Sequence, residues 1–185
     1  MAAVRTDDPF DTLGLPATFS LETSRIERAA LAKLAQLHPD VVGGDDAASD
    51  EVEVQAARIN AARDVLVFSL SRAEALLKRL GGPSKEADKS LPAGFLMEIM
   101  SVREQVEEVI AAKDASARAT WTTWAMEQRK AMESRAAELF AKAETDAAVL
   151  RDVRTHLNQW RYIERMIEQL DPAYDAGSSD VGGTA

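Results

Sequence analysis

Helix-breaking residues are confined to a few places in this chain, and that confinement decides most of its architecture. Nine glycines and six prolines occur, with most glycines at Gly43-Gly44, at Gly81-Gly82 and in the tail from Gly177 to Gly183. Between the breaks alanine is abundant and β-branched runs are scarce, so nearly every stretch reads as helix. The pattern predicts an all-α chain. A short apolar stretch over 9–15 comes first and stops at Gly14 and Pro16. A longer helix is expected from Ser20, as N-cap, through Leu37, with Pro39 ending it. Past a polar loop, Asp50 followed three positions on by Glu53 has the form of a capping box, and the helix it opens should reach about Phe68. A shorter helix over 71–80 follows.

Gly81-Gly82-Pro83-Ser84, with its polar continuation to Ser90, is the best domain boundary in the chain. It divides an N-terminal domain, 1–80, from a linker, 81–91, and a C-terminal domain, 92–170. Residues 171–185 read as a flexible, Gly/Ser/Asp-rich tail. Three helical stretches fill the second domain, over 92–113, 116–144 and 146–170. At 1.5 Å per residue the middle one would span roughly 40 Å. Short connections make them antiparallel neighbours, and so a three-helix bundle.

Composition excludes several functions. Lysine and arginine total 22 against 31 acidic residues, a formal net charge of -9, which disfavours binding to nucleic acid. Cysteine is absent, removing disulfides, thiolate metal sites and thiol catalysis together. Two histidines far apart offer little to any other transition metal. No stretch approaches the roughly 18 apolar residues of a membrane span. Met1 to Arg5, followed by Asp7 and Asp8, lacks the basic-then-apolar order of a secretory signal. A cytoplasmic protein without cofactor or metal is the expectation. No Gly-rich nucleotide-binding loop ending in Lys-Ser/Thr is present, and nothing argues for an enzyme.

His38-Pro39-Asp40 sits where a helix stops and a Gly/Asp loop begins. On spacing alone it reads as a helix terminus: histidine suits the negative end, proline follows, and aspartate starts a turn. A catalytic role has no support, because no serine, cysteine or second carboxylate is placed to act with the pair. Its surroundings allow a more specific reading. A helix, His-Pro-Asp, a loop and a second long helix is the layout of a J domain. Around it stand Phe10-Asp11-Thr12-Leu13-Gly14-Leu15-Pro16, Ile59-Asn60-Ala61-Ala62, Leu70-Ser71-Arg72-Ala73-Glu74-Ala75-Leu76-Leu77 and Phe95-Leu96-Met97-Glu98. In this order the chain resembles the HscB family, the J-domain co-chaperones of iron–sulfur cluster assembly, over about 9–170. Arg72-Ala73-Glu74 with Phe95 to Glu104 is what separates that family from J domains at large.

The resemblance implies an N-terminal J domain that engages a DnaK-type chaperone ATPase (HscA-like). His38, Pro39 and Asp40 would make that contact, with Arg25, Arg28 and Lys33 as basic candidates on the preceding helix. Where the family carries basic residues around the tripeptide, this chain has Ala35, Gln36 and Val41. Arg63 replaces an aromatic and Ser69 a proline. The resemblance also implies that the C-terminal bundle binds the cluster scaffold protein (IscU-like) through Leu96, Met97, Met100, Glu104, Glu108 and Tyr162. Ser101 stands where glutamate is common.

Helical periodicity supports a partner surface independently. At about 100° per residue, Phe95, Ile99, Val102, Val106 and Val109 fall within roughly 80° and form a core stripe. Leu96, Met100 and Met97 fall about 100–200° from its centre, continued by Glu104 and Glu108, so a second apolar patch points away. On the last helix Val153, Leu157, Trp160 and Ile167 make the buried stripe, and Tyr162 and Met166 are expected on the opposite side. His156 reads as a solvated or capping histidine. Trp121, Ala125, Met132, Ala136, Leu139 and Ala143 form an ordinary bundle stripe on the helix between. Two other functions fit the same residues: a general J-domain chaperone gripping unfolded chains, or a structural helical adaptor with no ATPase partner.

Overall fold

A computed structural model describes residues 8–37, 46–143, 145–171 and 173–174. These residues are helical with no strand among them, and they divide into two compact units, one ending at Arg79 and one beginning at Leu80. The first unit holds α1 (Pro9–Leu13), α2 (Thr23–Ala35), α3 (Asp46–Val67) and α4 (Ser69–Arg79). The second holds α5 (Phe95–Ala112), α6 (Ala115–Ala143), a 3₁₀ turn (Ala147–Val149) and α7 (Leu150–Leu170).

Helix α1 is short and capped at both ends. The Asp8 carboxylate accepts from the N–H groups of Phe10 at 2.9 Å and Asp11 at 3.3 Å. Pro9 occupies a first-turn position where no N–H is needed. Gly14 closes the helix in the left-handed region, at φ 67°, a conformation that glycine adopts without strain. Arg79, at the end of α4, lies 2.8 Å from Asp8 and 2.9 Å from Asp11, tying the first helix of the unit to the last. Between them Phe10, Ile26, Leu66, Ala73 and Leu77 are fully buried. Each large apolar side chain buried this way contributes about 1.5–3 kcal/mol of transfer free energy.

Two helix starts differ from the sequence expectation. Helix α2 begins at Thr23 rather than after Ser20, and its N-cap, Glu22, makes no side-chain capping bond. Phe19 and Leu21 explain the delay: both are buried. The Leu21 N–H donates to the Phe19 carbonyl at 2.9 Å, so the chain makes a tight turn around Ser20 before the helix opens at Thr23. Helix α3 begins at Asp46, one turn before the Asp50–Glu53 pair. Alanines 47 and 48 have high intrinsic helix propensity, which favours an earlier start.

Between α3 and α4 the chain bends at Phe68, and the buried Arg72 holds the bend. Its Nε donates to the Phe19 carbonyl at 2.9 Å, its Nη1 donates to the carbonyl of Leu66, and its guanidinium lies 5.3 Å from the Phe19 ring centre. A planar fork with several donors suits these scattered carbonyls, which a lysine could not serve at once. Arg63 forms an ion pair with Glu27 at 2.8 Å, joining α3 to α2. Ser69 opens α4.

In the second unit α7 is the central element. It buries Val153, Leu157, Trp160, Ile163, Ile167 and Leu170, mainly against Ala125, Ala136, Leu139 and Phe140 of α6. A buried carboxylate, Glu164, accepts from Trp160 Nε1 at 2.8 Å, Arg129 Nε at 3.1 Å and the Tyr174 hydroxyl at 3.0 Å. Burial, followed by the Glu164 charge, raises the Tyr174 pKa and keeps that phenol protonated as a donor. Tyr174 lies within the stretch expected to be a flexible tail, and this bond fastens it to the bundle. The expected linker is fastened too. Buried Asn158 donates to the carbonyls of Asp88 and Ser90, each at 3.0 Å, laying this segment along α7.

Two side chains of α7 depart from expectation, Met166 because a second helix covers its face and His156 because it lies at the edge of the stripe that faces α6. Met166, expected opposite the core, is buried: α5 covers that face. His156, expected in solvent, is also buried, and its Nε2–H donates to the Met132 carbonyl at 2.9 Å. Burial lowers its pKa below the ordinary 6.5 and keeps the ring neutral.

Candidate functional site

The first candidate surface lies on α2. Ile26 and Ala30 make its buried stripe, while Arg25 and Arg28 are exposed about 60° apart on the outer face. Leu31, 64% exposed, extends the same face. Lys33 does not join it. It lies about 20° from Ile26 around the helix, half-buried at the edge of the core stripe. His38, Pro39, Asp40 and the neighbouring Val41 lie outside the described residues. Leu31 was not singled out from the sequence, although its position about 100° or more from Ile26 and Ala30 could have marked it.

The second surface lies on α5, whose N-terminal turn follows Gly94 at φ 81°. Phe95, Ile99 and Val106 are buried, and Val102 and Val109 half-buried, so the predicted stripe faces the bundle. On the outer side Leu96 is 49%, Met97 79% and Met100 54% exposed. Leu96, Met100, Glu104 and Glu108 form a single i, i+4 row, with Met97 beside its upper half. Both glutamates are exposed. Thus the row passes from apolar to anionic over three turns.

Tyr162 reaches this surface from α7. Its ring meets Phe95 edge-on, with centroids 5.7 Å apart and planes at 79°. Together with Met100, Ile99 and Met166 it lines a cavity of about 120 Å³ between α5 and α7. Tyr162 and Met100 thus meet at the cavity, while Leu96, Met97, Glu104 and Glu108 continue along α5 on either side of Met100. Their chemistry is that of a docking face: adaptable methionines, an aromatic edge and a charged rim. Among the described residues no cluster of histidine and carboxylate side chains is placed to hold a metal ion, and no helix is long and apolar enough to cross a membrane.

Comparison with known proteins gives a consistent picture. The family model described as the HSCB C-terminal oligomerisation domain matches residues 91–171. A co-chaperone protein HscB homolog of Bordetella petrii is 32% identical over 173 residues, covering 92% of this chain and 98% of the relative. The Bordetella parapertussis homolog is 30% identical over 169 residues, covering 90% and 96%. Among solved structures, the chaperone HscB from Vibrio cholerae matches with a TM-score of 0.73 at 24% identity, covering 90% of this chain and 96% of that one. The human co-chaperone protein HscB matches with a TM-score of 0.75 at 21% identity, covering 94% and 85%. Both solved structures share the fold of a J domain followed by a helical bundle. The chain belongs to the HscB family of co-chaperones.

Proposed function

We propose that this protein couples two partners in iron–sulfur cluster assembly. Its J domain stimulates the ATPase of a DnaK-type chaperone (HscA-like) through His38, Pro39 and Asp40, with Arg25 and Arg28 steering the encounter and Lys33 at the margin. Its bundle presents an IscU-like scaffold protein, held on Leu96, Met97, Met100 and Tyr162 with Glu104 and Glu108 at the rim. The working division is a J domain over 1–80, a connecting segment over 81–91, a bundle over 92–170 and a tail. The site of action is the cytoplasm. The chain performs no catalysis itself, and any cluster stays on the scaffold, since a chain without cysteine offers it no thiolate.

One observation carries the scaffold half of this reading. Leu96, Met97 and Met100 leave large apolar surfaces in water on a helix whose core face is already filled by Phe95, Ile99 and Val106. Such a patch lowers its free energy by meeting a partner. A test is titration calorimetry of the full-length protein against the folded scaffold, then against a denatured client. Saturable binding of the folded scaffold, lost in Leu96→Ala with Met100→Ala, supports the adaptor. Equal affinity for unrelated denatured proteins would instead point to a general chaperone.

A further inference from the structure

Beside the apolar patch lies a cleft of about 480 Å³, lined by Lys85, Lys89, Arg161 and Arg165 with Glu86, Leu91, Asn158 and Tyr162. Four cations face one carboxylate in a chain whose formal net charge is -9, so the cleft is a positive region on an acidic protein. Its shape is built rather than incidental. Asn158 pins the 88–90 backbone through two hydrogen bonds, so Lys85 and Lys89 stay over α7 opposite Arg161 and Arg165. Tyr162 and Arg165 also line the smaller cavity shared with Met100. The basic cleft and the apolar patch are therefore continuous through Tyr162.

We infer that this cleft receives an acidic segment of the same protein partner that docks on Leu96, Met97 and Met100. The inference rests on the scaffold reading of the α5 surface and adds to it a second, oppositely charged zone. Glu104 and Glu108 lie at the far end of the α5 row, so a fitting partner presents basic residues there and acidic ones beyond Tyr162. Such an arrangement fixes the direction in which the partner lies, because reversing it sets like charges together. A polyphosphate backbone fits less well. It would gain from the four cations but would meet Glu104 and Glu108 of α5 as it continued along the patch.

The test compares Lys89→Glu with Arg165→Glu, together and with Lys89→Glu alone, in the full-length protein. Lys89 and Arg165 are both exposed, and a thermal melt checks folding of each variant. At low ionic strength the double variant should bind the scaffold at least about tenfold more weakly by calorimetry, and the gap should narrow to a few-fold as salt approaches about 0.5 M. If the reversals leave affinity unchanged while Leu96→Ala with Met100→Ala abolishes it, the cleft inference falls and the scaffold reading stands. No binding of the scaffold by the parent protein would remove the scaffold reading itself. A single-stranded oligonucleotide that binds more tightly than the scaffold, and loses that binding in the same variants, would also overturn the inference.

Discussion

Helices α2 and α5 follow the same plan and turn opposite chemistry outward. Each commits a narrow stripe to its own unit: Ile26 and Ala30 on α2, and Phe95, Ile99 and Val106 on α5. The outer face of α2 sets Arg25 and Arg28 around a single Leu31. The outer face of α5 clusters Leu96, Met97 and Met100 and places its charges at the edge. The difference lies in the range of the forces. Exposed cations act over a Debye length and set how often partners meet, whereas a clustered apolar patch acts only on contact and sets how long they stay. A protein joining two partners can thus make one contact transient and the other lasting.

The largest effect should come from His38→Gln, which should reduce stimulation of the chaperone ATPase to its basal rate while leaving scaffold binding and the thermal melt unchanged. Retained stimulation in single-turnover kinetics would break the comparison at its first member. Next in size is the triple Leu96→Ala, Met97→Ala, Met100→Ala variant. Truncating an anchor costs about 1–2 kcal/mol or more, so scaffold affinity should fall at least about a hundredfold by calorimetry. Its melting temperature should stay close to that of the parent, because these side chains are exposed; a collapsed melt would assign them to a core.

A third, smaller effect concerns Arg25→Ala with Arg28→Ala. Chaperone association should slow about three- to tenfold at low ionic strength and converge on the parent near 0.5 M salt, roughly where the Debye length falls toward 4 Å. Substitution of Glu104 and Glu108 by glutamine should move association in the same salt-dependent way without shortening scaffold residence. Stopped-flow rates at several salt concentrations check both, and equal slopes for the apolar and basic variants would erase the distinction.

The smallest effect involves His156, which faces the Met132 carbonyl, the Trp160 ring and the charge of Arg135. Its folded pKa lies below 6.5, so the unfolded chain binds the proton more readily. Stability is therefore full above that pH and falls as pH drops below it, until the folded ring also protonates. His156→Gln should cost about 1 kcal/mol at neutral pH through the altered hydrogen bond and should flatten the decline of the melting temperature in acid. An unchanged slope would remove His156 as the source. The effect belongs to the bundle, so the α5 surface should weaken in acid sooner than the α2 face.

The two outward faces also differ in how far the sequence announces them. The double-sided character of α5 is local: residues three and four apart report it, and no knowledge of neighbours is needed. Tyr162 is a different case. Its helix has partners on two sides, so residues opposite the Trp160 stripe are covered as well, which is why Met166 is buried against expectation; His156, only about 40° from Trp160, is buried at the edge of the main stripe against Met132. Periodicity along one helix cannot count the helices around it. The basic cleft was illegible for a related reason. Lys85 and Lys89 come from a segment that reads as linker, and the Asn158 hydrogen bonds, which no local pattern announces, hold it beside Arg161 and Arg165. Arg72 was read as a family marker. Its physical role, binding carbonyls released at the Phe68 bend, depends on Phe19, more than fifty residues away in sequence.

The reliance of the second unit on α7 has a consequence during synthesis. The first unit is complete once Arg79 has emerged, but the bundle lacks Trp160, Glu164 and the Tyr174 hydroxyl until about a hundred residues later. At the usual pace of translation that is a delay of about 5–20 s. Until α7 arrives, α5 has at most α6 to cover Phe95, Ile99 and Val106, and it carries Leu96, Met97 and Met100 in water as well. The nascent chain therefore shows apolar side chains on both sides of the helix proposed to hold another protein, and is for that time itself prone to stick. Arrival of α7 hides one side and leaves the other, so closure of the bundle is what turns a two-sided apolar helix into a one-sided surface.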